Sequence, residues 1–152
     1  MMAFPNNQQQ EMILAAFMEK HALIRHTSDA KYIGWVNANP LSPELLGAVC
    51  FNTFLGATCQ LHVAMKDDYH YTPREMLSTV MDIAFNRFNV AKLLGVVNSR
   101  NEKAMRFDKH LGFVEEYRMQ GMHDNGGDIV IFSMTRTQCR YLRQSKVILR
   151  AA

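Results

Sequence analysis

Val97-Asn98-Ser99-Arg100-Asn101-Glu102-Lys103-Ala104-Met105-Arg106-Phe107-Asp108-Lys109-His110-Leu111-Gly112-Phe113 joins the end of one strand to the start of another through a helix. Val97 closes a short apolar run that begins at Ala91 and contains Gly95. Asn101 to His110 reads as a helix, and Leu111-Gly112 ends it. Phe113 then opens the next strand.

Upstream of this stretch the period changes at Thr72-Pro73-Arg74-Glu75. Three signals predict a helix start there. Thr72 can accept from the N3 amide, Glu75 can reach back as a capping box, and Pro73 suits the N1 position. Leu77, Val80, Met81, Ala84, Phe85 and Phe88 form its apolar face. Before it, Tyr32–Val36, Leu45–Phe54 and Cys59–Met65 read as strands, with Leu55-Gly56 turning between the last two. Glu11–Lys20 has helical apolar spacing. Downstream, Val114–Met122 and Ile129–Thr135 are strands around the hairpin signal Asn125-Gly126. The order is helix, three strands, helix, strand, helix, two strands and a tail. It predicts a mixed α/β (α+β) domain with a mostly antiparallel twisted sheet flanked by helices. The unit from Cys59 to Val97 should be a parallel crossover.

The chain has 152 residues, 48% of them hydrophobic, which fits one domain and excludes disorder. No apolar run is long enough for a membrane helix, and the N-terminal stretch lacks the pattern of a secretory signal. Cys50, Cys59 and Cys139 have no C-x-x-C spacing, so a reducing cytoplasm is expected. His110, His123 and Asp124 lack metal-ligand spacing. The net charge is +3. Five basic residues (Arg136, Arg140, Arg143, Lys146, Arg150) and no acid lie from residue 136 onward, which leaves 12 basic against 14 acidic residues before them. We therefore expect one domain over 1–135 and a basic, helical tail over 136–152.

The stretch quoted first resembles the signature of the GNAT superfamily of acetyl-CoA-dependent N-acetyltransferases. Asn101-x-x-Ala104 follows a strand, and Leu111-Gly112-Phe113 follows one helix later. Glu115-Glu116-Tyr117-Arg118, Gly126-Gly127-Asp128 and Phe132-Ser133-Met134 look like that family's closing hairpin. The likeness covers roughly Tyr32 to Thr135 and is strongest to small phage-encoded members, whose setting would be the host cytoplasm. It implies acetyl transfer from acetyl-CoA to a primary amine. By this resemblance Val63, Ala64 and Met65 meet pantetheine and acetyl. Thr72, Arg74 and Glu75 lie by the phosphates, at a helix N-terminus whose free N–H groups favour anions. Asn101, Ala104 and Phe107 flank the pantetheine arm.

Two positions depart from the family pattern. The usual phosphate loop, Arg/Gln-x-x-Gly-x-Gly/Ala, is replaced by Lys66-Asp67-Asp68-Tyr69-His70-Tyr71-Thr72-Pro73, which lacks glycine freedom and adds two carboxylates. Many members also carry a Tyr seven residues after the signature Asn, able to protonate the leaving thiolate. Asp108 stands there, and an ionised Asp is a poor donor unless its pKa is raised.

Acetyl transfer needs a base for the amine and a donor for the oxyanion. Backbone amides of Val63–Met65 suit the second role. His62 is the candidate base, since an imidazole titrates near neutrality; the other reading is a hydrogen-bonded strand histidine. Glu115 is the second catalytic candidate, against a solvated strand end. Tyr69 and Tyr71 suit a substrate wall or a phenolic acid, against the commoner packing role of a loop Tyr, and Cys59 reads as buried filling. The alternative function is a GNAT-fold module that has lost catalysis and binds a host protein. Binding of nucleic acid through the tail is the weakest reading, because no base-reading motif accompanies it. The acceptor amine and the oligomeric state have no signal in the sequence.

Overall fold

The computed structural model describes residues 1–69 and 71–142. Within them, seven strands form one sheet: β1 (Met2–Ala3), β2 (Lys31–Val36), β3 (Leu45–Leu55), β4 (Thr58–Met65), β5 (Lys92–Asn98), β6 (Val114–Met119) and β7 (Ile129–Thr135). Their order across the sheet is β1-β2-β3-β4-β5-β7-β6. Every neighbouring pair is antiparallel except β4 and β5, which are parallel as the crossover reading requires. β1 has no counterpart in the sequence reading, because two residues are too few to show a period.

Among the described residues, three α-helices flank the sheet: α1 (Gln8–Ala22), α2 (Arg74–Asp82) and α3 (Glu102–Leu111). The crossovers β4–α2–β5 and β5–α3–β6 advance in the same direction. A common hand therefore puts α2 and α3 on the same face. Strand alternation matches this division. On β3, Val49 and Phe51 join Leu77, Val80, Phe85 and Leu111 in the main core. Ala48 and Cys50 point the other way, to Leu14, Ala15 and Met18 of α1.

Helix ends follow their local chemistry, with one correction. Asn7 caps α1 by accepting from the Gln10 amide at 2.9 Å. Asn101 caps α3 by accepting from the Ala104 amide at 3.1 Å, and Gly112, at φ 106°, closes that helix. The expected Thr72–Glu75 capping box does not form. Pro73 takes an extended conformation (ψ 137°) and is itself the N-cap, with no side-chain cap bond. The helix therefore starts one residue later, and the N3 position falls on Met76, which has no carboxyl. At its other end α2 runs into a turn of π-helix, Ile83–Arg87, closed by the Phe88 amide on the Ile83 carbonyl at 2.8 Å.

The last hairpin is longer than Asn125-Gly126 alone suggests. β6 stops at Met119, and Gly121 and Gly126 both adopt positive φ. Asp128 holds the loop by accepting from the Gly121 amide (2.9 Å) and from Arg118 (2.8 Å). Of the basic tail, Arg136–Gln138 forms a short 3-10 turn, and Cys139, Tyr141 and Leu142 pack on the main core. The expected helix over the rest of the tail lies outside the described residues. Among the described residues, no helix is long and apolar enough to cross a membrane.

Candidate active site at the sheet fork

The parallel pairing of β4 with β5 is short. Thr58, Cys59 and Gln60 face Lys92, Leu93 and Leu94, and no further β4–β5 pair forms among the described residues. Beyond that point β4 continues to Met65 along β3 only, while β5 continues to Asn98 along β7 only. The sheet therefore forks. On its β5 side, the edge of β4 from Leu61 to Met65 has peptide groups with no strand partner. Buried peptide groups need partners, so this edge can receive an extended ligand with amides of its own.

The N-terminus of α2 stands beyond the open end of the fork, since β4 ends at Met65 and the chain re-enters helix at Arg74. Its first turn offers unpaired N–H groups and the positive end of the helix dipole. Arg74 is exposed and lies over the Tyr141 ring, 5.7 Å from the centroid. Of the loop carboxylates expected to repel an anion, Asp68 lies 3.7 Å from Lys66, which also pairs with Glu44, and Asp67 lies 3.2 Å from the His21 ring nitrogen. Tyr69 and Tyr71 stack on each other at 5.1 Å.

The fork brings together Val63 and Met65, partly buried against the main core, and Ala64, buried toward α1. Thr72, Arg74 and Glu75 gather at the start of α2. Asn101, Ala104 and Phe107 belong to α3, on the same face as α2. Asn101 uses its side chain as the helix cap.

Of the two expected catalytic residues, His62 is on the fork stretch of β4 but on its α1 face, and Glu115 is on another strand. His62 shares the α1 face with Cys50, its register partner, and Ala64. Its Nε2–H donates to Asn52 Oδ1 at 2.9 Å. Burial pushes its pKa down to about 4, so the argument from near-neutral titration does not hold for this imidazole. It is neutral at physiological pH and a weak base. Glu115 lies on the edge strand β6, separated from β4 by β5 and β7. It is ion-paired with Arg118 at 2.5 Å and is not brought to the fork. Its neighbour Glu116 is held by Lys92 at 2.6 Å. Both fit a solvated, ion-paired strand.

Asp108 and Gly95 are the pair that the sequence reading undervalues. Asp108 projects from α3 onto β5, where a Cβ on Gly95 would lie 2.7 Å from its Oδ2. Gly95 follows Leu94, the last β5 residue paired with β4. The carboxyl therefore sits at the apex of the fork. Burial raises its pKa from 3.8 to about 7, and no hydrogen bond or charge contributes to that shift. Two signals in the sequence point to it. Ala104, Asp108 and Leu111 share one helical face, so an acid interrupts an apolar stripe. A glycine inside a strand marks a close approach. Cys50 and Cys59, with thiol pKa values pushed to about 12 by burial, are inert filling.

No family model and no curated protein matches the chain. Solved structures do. Spermidine N-acetyltransferase of Vibrio cholerae, in complex with CoA and spermine, is 13% identical, with a TM-score of 0.68 over 91% of this chain and 96% of that one. A putative GNAT-family acetyltransferase of Desulfovibrio desulfuricans is 13% identical, with a TM-score of 0.69 over 89% of this chain and 98% of that one. A putative acetyltransferase of T. thermophilus is 18% identical, with a TM-score of 0.61 over 81% of this chain and 66% of that one. At these identities the likeness concerns architecture, and the chain has the GNAT acetyltransferase fold.

Proposed function

We propose that the protein transfers an acetyl group from acetyl-CoA to a primary amine. The observation that carries this reading is the fork, with an unpartnered β4 edge running from the apex toward the N-terminus of α2. Acetyl-CoA is a linear molecule with anionic phosphates near one end, amides along its arm and a thioester at the other end. Its phosphates suit the α2 start and Arg74, and its amides suit the edge at Val63–Met65. The thioester then lies toward the apex. A backbone N–H of that edge stabilises the developing oxyanion. With His62 neutral and turned to the other face, the free-base fraction of the amine is the attacking species.

The acceptor we infer is a small cationic amine. The support is the fold shared with an enzyme solved with CoA and spermine. All three cysteines are free thiols, which supports work in a reducing compartment. A second reading is a catalytically silent protein that binds a host protein. It is favoured by the Asp67-Asp68 and Pro73 chemistry where a phosphate is to sit. Calorimetry with acetyl-CoA separates the two. The enzyme reading expects binding below about 1 mM, the upper range of ordinary substrate affinities. No heat at millimolar acetyl-CoA would leave only the second.

A further inference from the structure

We propose that Tyr141 is a positioning residue for the cofactor: the C-terminal segment carries its ring to the start of α2, where it holds the Arg74 guanidinium ready for the cofactor's phosphates. The inference rests on the acetyl-transfer reading above. It goes beyond that reading because the segment lies outside the stretch that resembles the family. Three observations converge on it.

The first is the path of the segment. Arg136 bonds to the Phe85 carbonyl and the Asn86 side chain, at the far end of the helical run that begins with Arg74. The Gln138 carbonyl passes the end of α3, 3.1 Å from where a Cβ on Gly112 would lie. Tyr141 then meets Arg74, whose guanidinium carbon lies 5.7 Å from the ring centroid. The helical run from Arg74 to Asn86 rises about 18 Å. The chain from Arg136 to Tyr141, with the reach of two long side chains, covers that distance. Residues 136–141 thus form a strap along α2. Cys139, Tyr141 and Leu142 anchor it on the main core.

The second is the partner that Arg74 takes. Asp67, Asp68 and Glu75 flank it in sequence. Asp67 faces His21 and Asp68 faces Lys66, and among the described residues no carboxylate forms an ion pair with Arg74. The guanidinium lies instead over a neutral ring. An aromatic face attracts a guanidinium without engaging its N–H donors, so those donors stay open to an oxyanion. A long side chain loses rotamer freedom when it meets a ligand. One already held on a ring loses less.

The third is the space between helix and strap. Arg74, Glu75 and Ser78 of α2 and Arg140, Tyr141 and Leu142 of the strap line an open groove of about 340 Å³. Two guanidinium groups against one carboxylate leave it cationic, at the helix end where the dipole also favours an anion. The strap therefore sets a fixed cation beside the free N–H groups of α2, where the preceding loop sequence has no glycine to wrap a phosphate.

The test uses the full chain and calorimetry, so that no acceptor has to be known. Tyr141→Leu keeps apolar cover on the core and removes the ring. It should weaken acetyl-CoA binding by about five-fold, the scale of an exposed cation–π pair. Tyr141→Met is the second variant and should behave alike, whereas Tyr141→Phe, which keeps the ring, should bind as the wild type does. Arg74→Ala should weaken binding by about ten-fold, and Tyr141→Leu should cost nothing more in that background, because it acts only through the guanidinium. S-acetylpantetheine has the arm and the thioester but no phosphate, and Tyr141→Leu should leave its binding unchanged. Acetyl-CoA affinity unaltered by Tyr141→Leu overturns the role. So does an equal loss in Tyr141→Phe, or a Tyr141→Leu loss that multiplies with that of Arg74→Ala. Absence of acetyl-CoA heat in the wild type overturns the acetyl-transfer reading itself, and this role with it.

Discussion

The α1 face of the sheet holds His62, and the opposite face holds Asp108. Burial shifts both, His62 down to about 4 and Asp108 up to about 7. Their settings differ. His62 donates to the side chain of Asn52, a residue only 5% exposed, and packs in the α1 cluster beside Cys50. Among the described residues Asp108 has no such partner, and it sits over Gly95, where a Cβ would meet its Oδ2. A buried polar group tied to a neighbour is explained by the fold, because leaving it unpaired would cost about 1–3 kcal/mol. A half-buried acid with no ion pair or side-chain hydrogen bond among the described residues is not explained that way. The difference separates an imidazole tied to a neighbouring side chain from a carboxyl that is not, although the sequence alone favours the imidazole.

The contrast can be broken by stability measurements. Asp108 has a folded-state pKa above its ordinary 3.8. Its contribution is therefore fully present below 3.8 and lost as pH rises through about 7. The ionised carboxylate costs up to about 4 kcal/mol at alkaline pH. Asp108→Asn should raise Tm by about 5–10 °C at about pH 8 and give no gain at about pH 4. A gain of equal size at both pH values would mean that the acid is not desolvated.

His62 has the opposite sign. Its folded-state pKa lies below the ordinary 6.5, so its contribution is present above 6.5 and lost as pH falls through about 4. The loss amounts to about 3 kcal/mol. His62→Gln should flatten the acid side of the urea stability profile between those limits. Unaltered acid sensitivity would show that the imidazole is not held neutral by burial.

A smaller effect sharpens the picture of the Asp108 face alone. Asn101→Ala should cost about 1 kcal/mol in urea unfolding, because the side chain caps α3. Thr72→Ala should stay within about 0.5 kcal/mol. Equal costs would restore the capping box at Thr72.

Most of the architecture is legible because the signals are local. The apolar face of α2, the Asn101 cap and the Gly112 stop each lie within one element, and the strand order follows from them. The fork is legible only through resemblance, since where two strands part is a property of their neighbours. The site reads less well. His62 is attractive for an intrinsic pKa, which burial on the far face removes. Glu115 is attractive for its place after α3, but β7 inserts between β5 and β6 and carries it away from the fork. Thr72 fails as a cap because Pro73 adopts the cap conformation itself. Asp108 looks ionised in the sequence, and only the packing around it changes that.

The first residue of the basic run has a consequence for how the chain can be divided. Arg136 bonds to the Phe85 carbonyl and, at 2.7 Å, to the Asn86 side chain, and its guanidinium lies over the Phe85 ring. It closes the carbonyl end of the α2 π-turn, where a cation is favourable. Part of the tail's positive charge is thus already answered within the domain. A shortened chain ending at Thr135 would lose a helix terminator along with any partner-binding charge. A cut after Leu142 would leave that terminator in place, along with the apolar cover that Cys139, Tyr141 and Leu142 give the core.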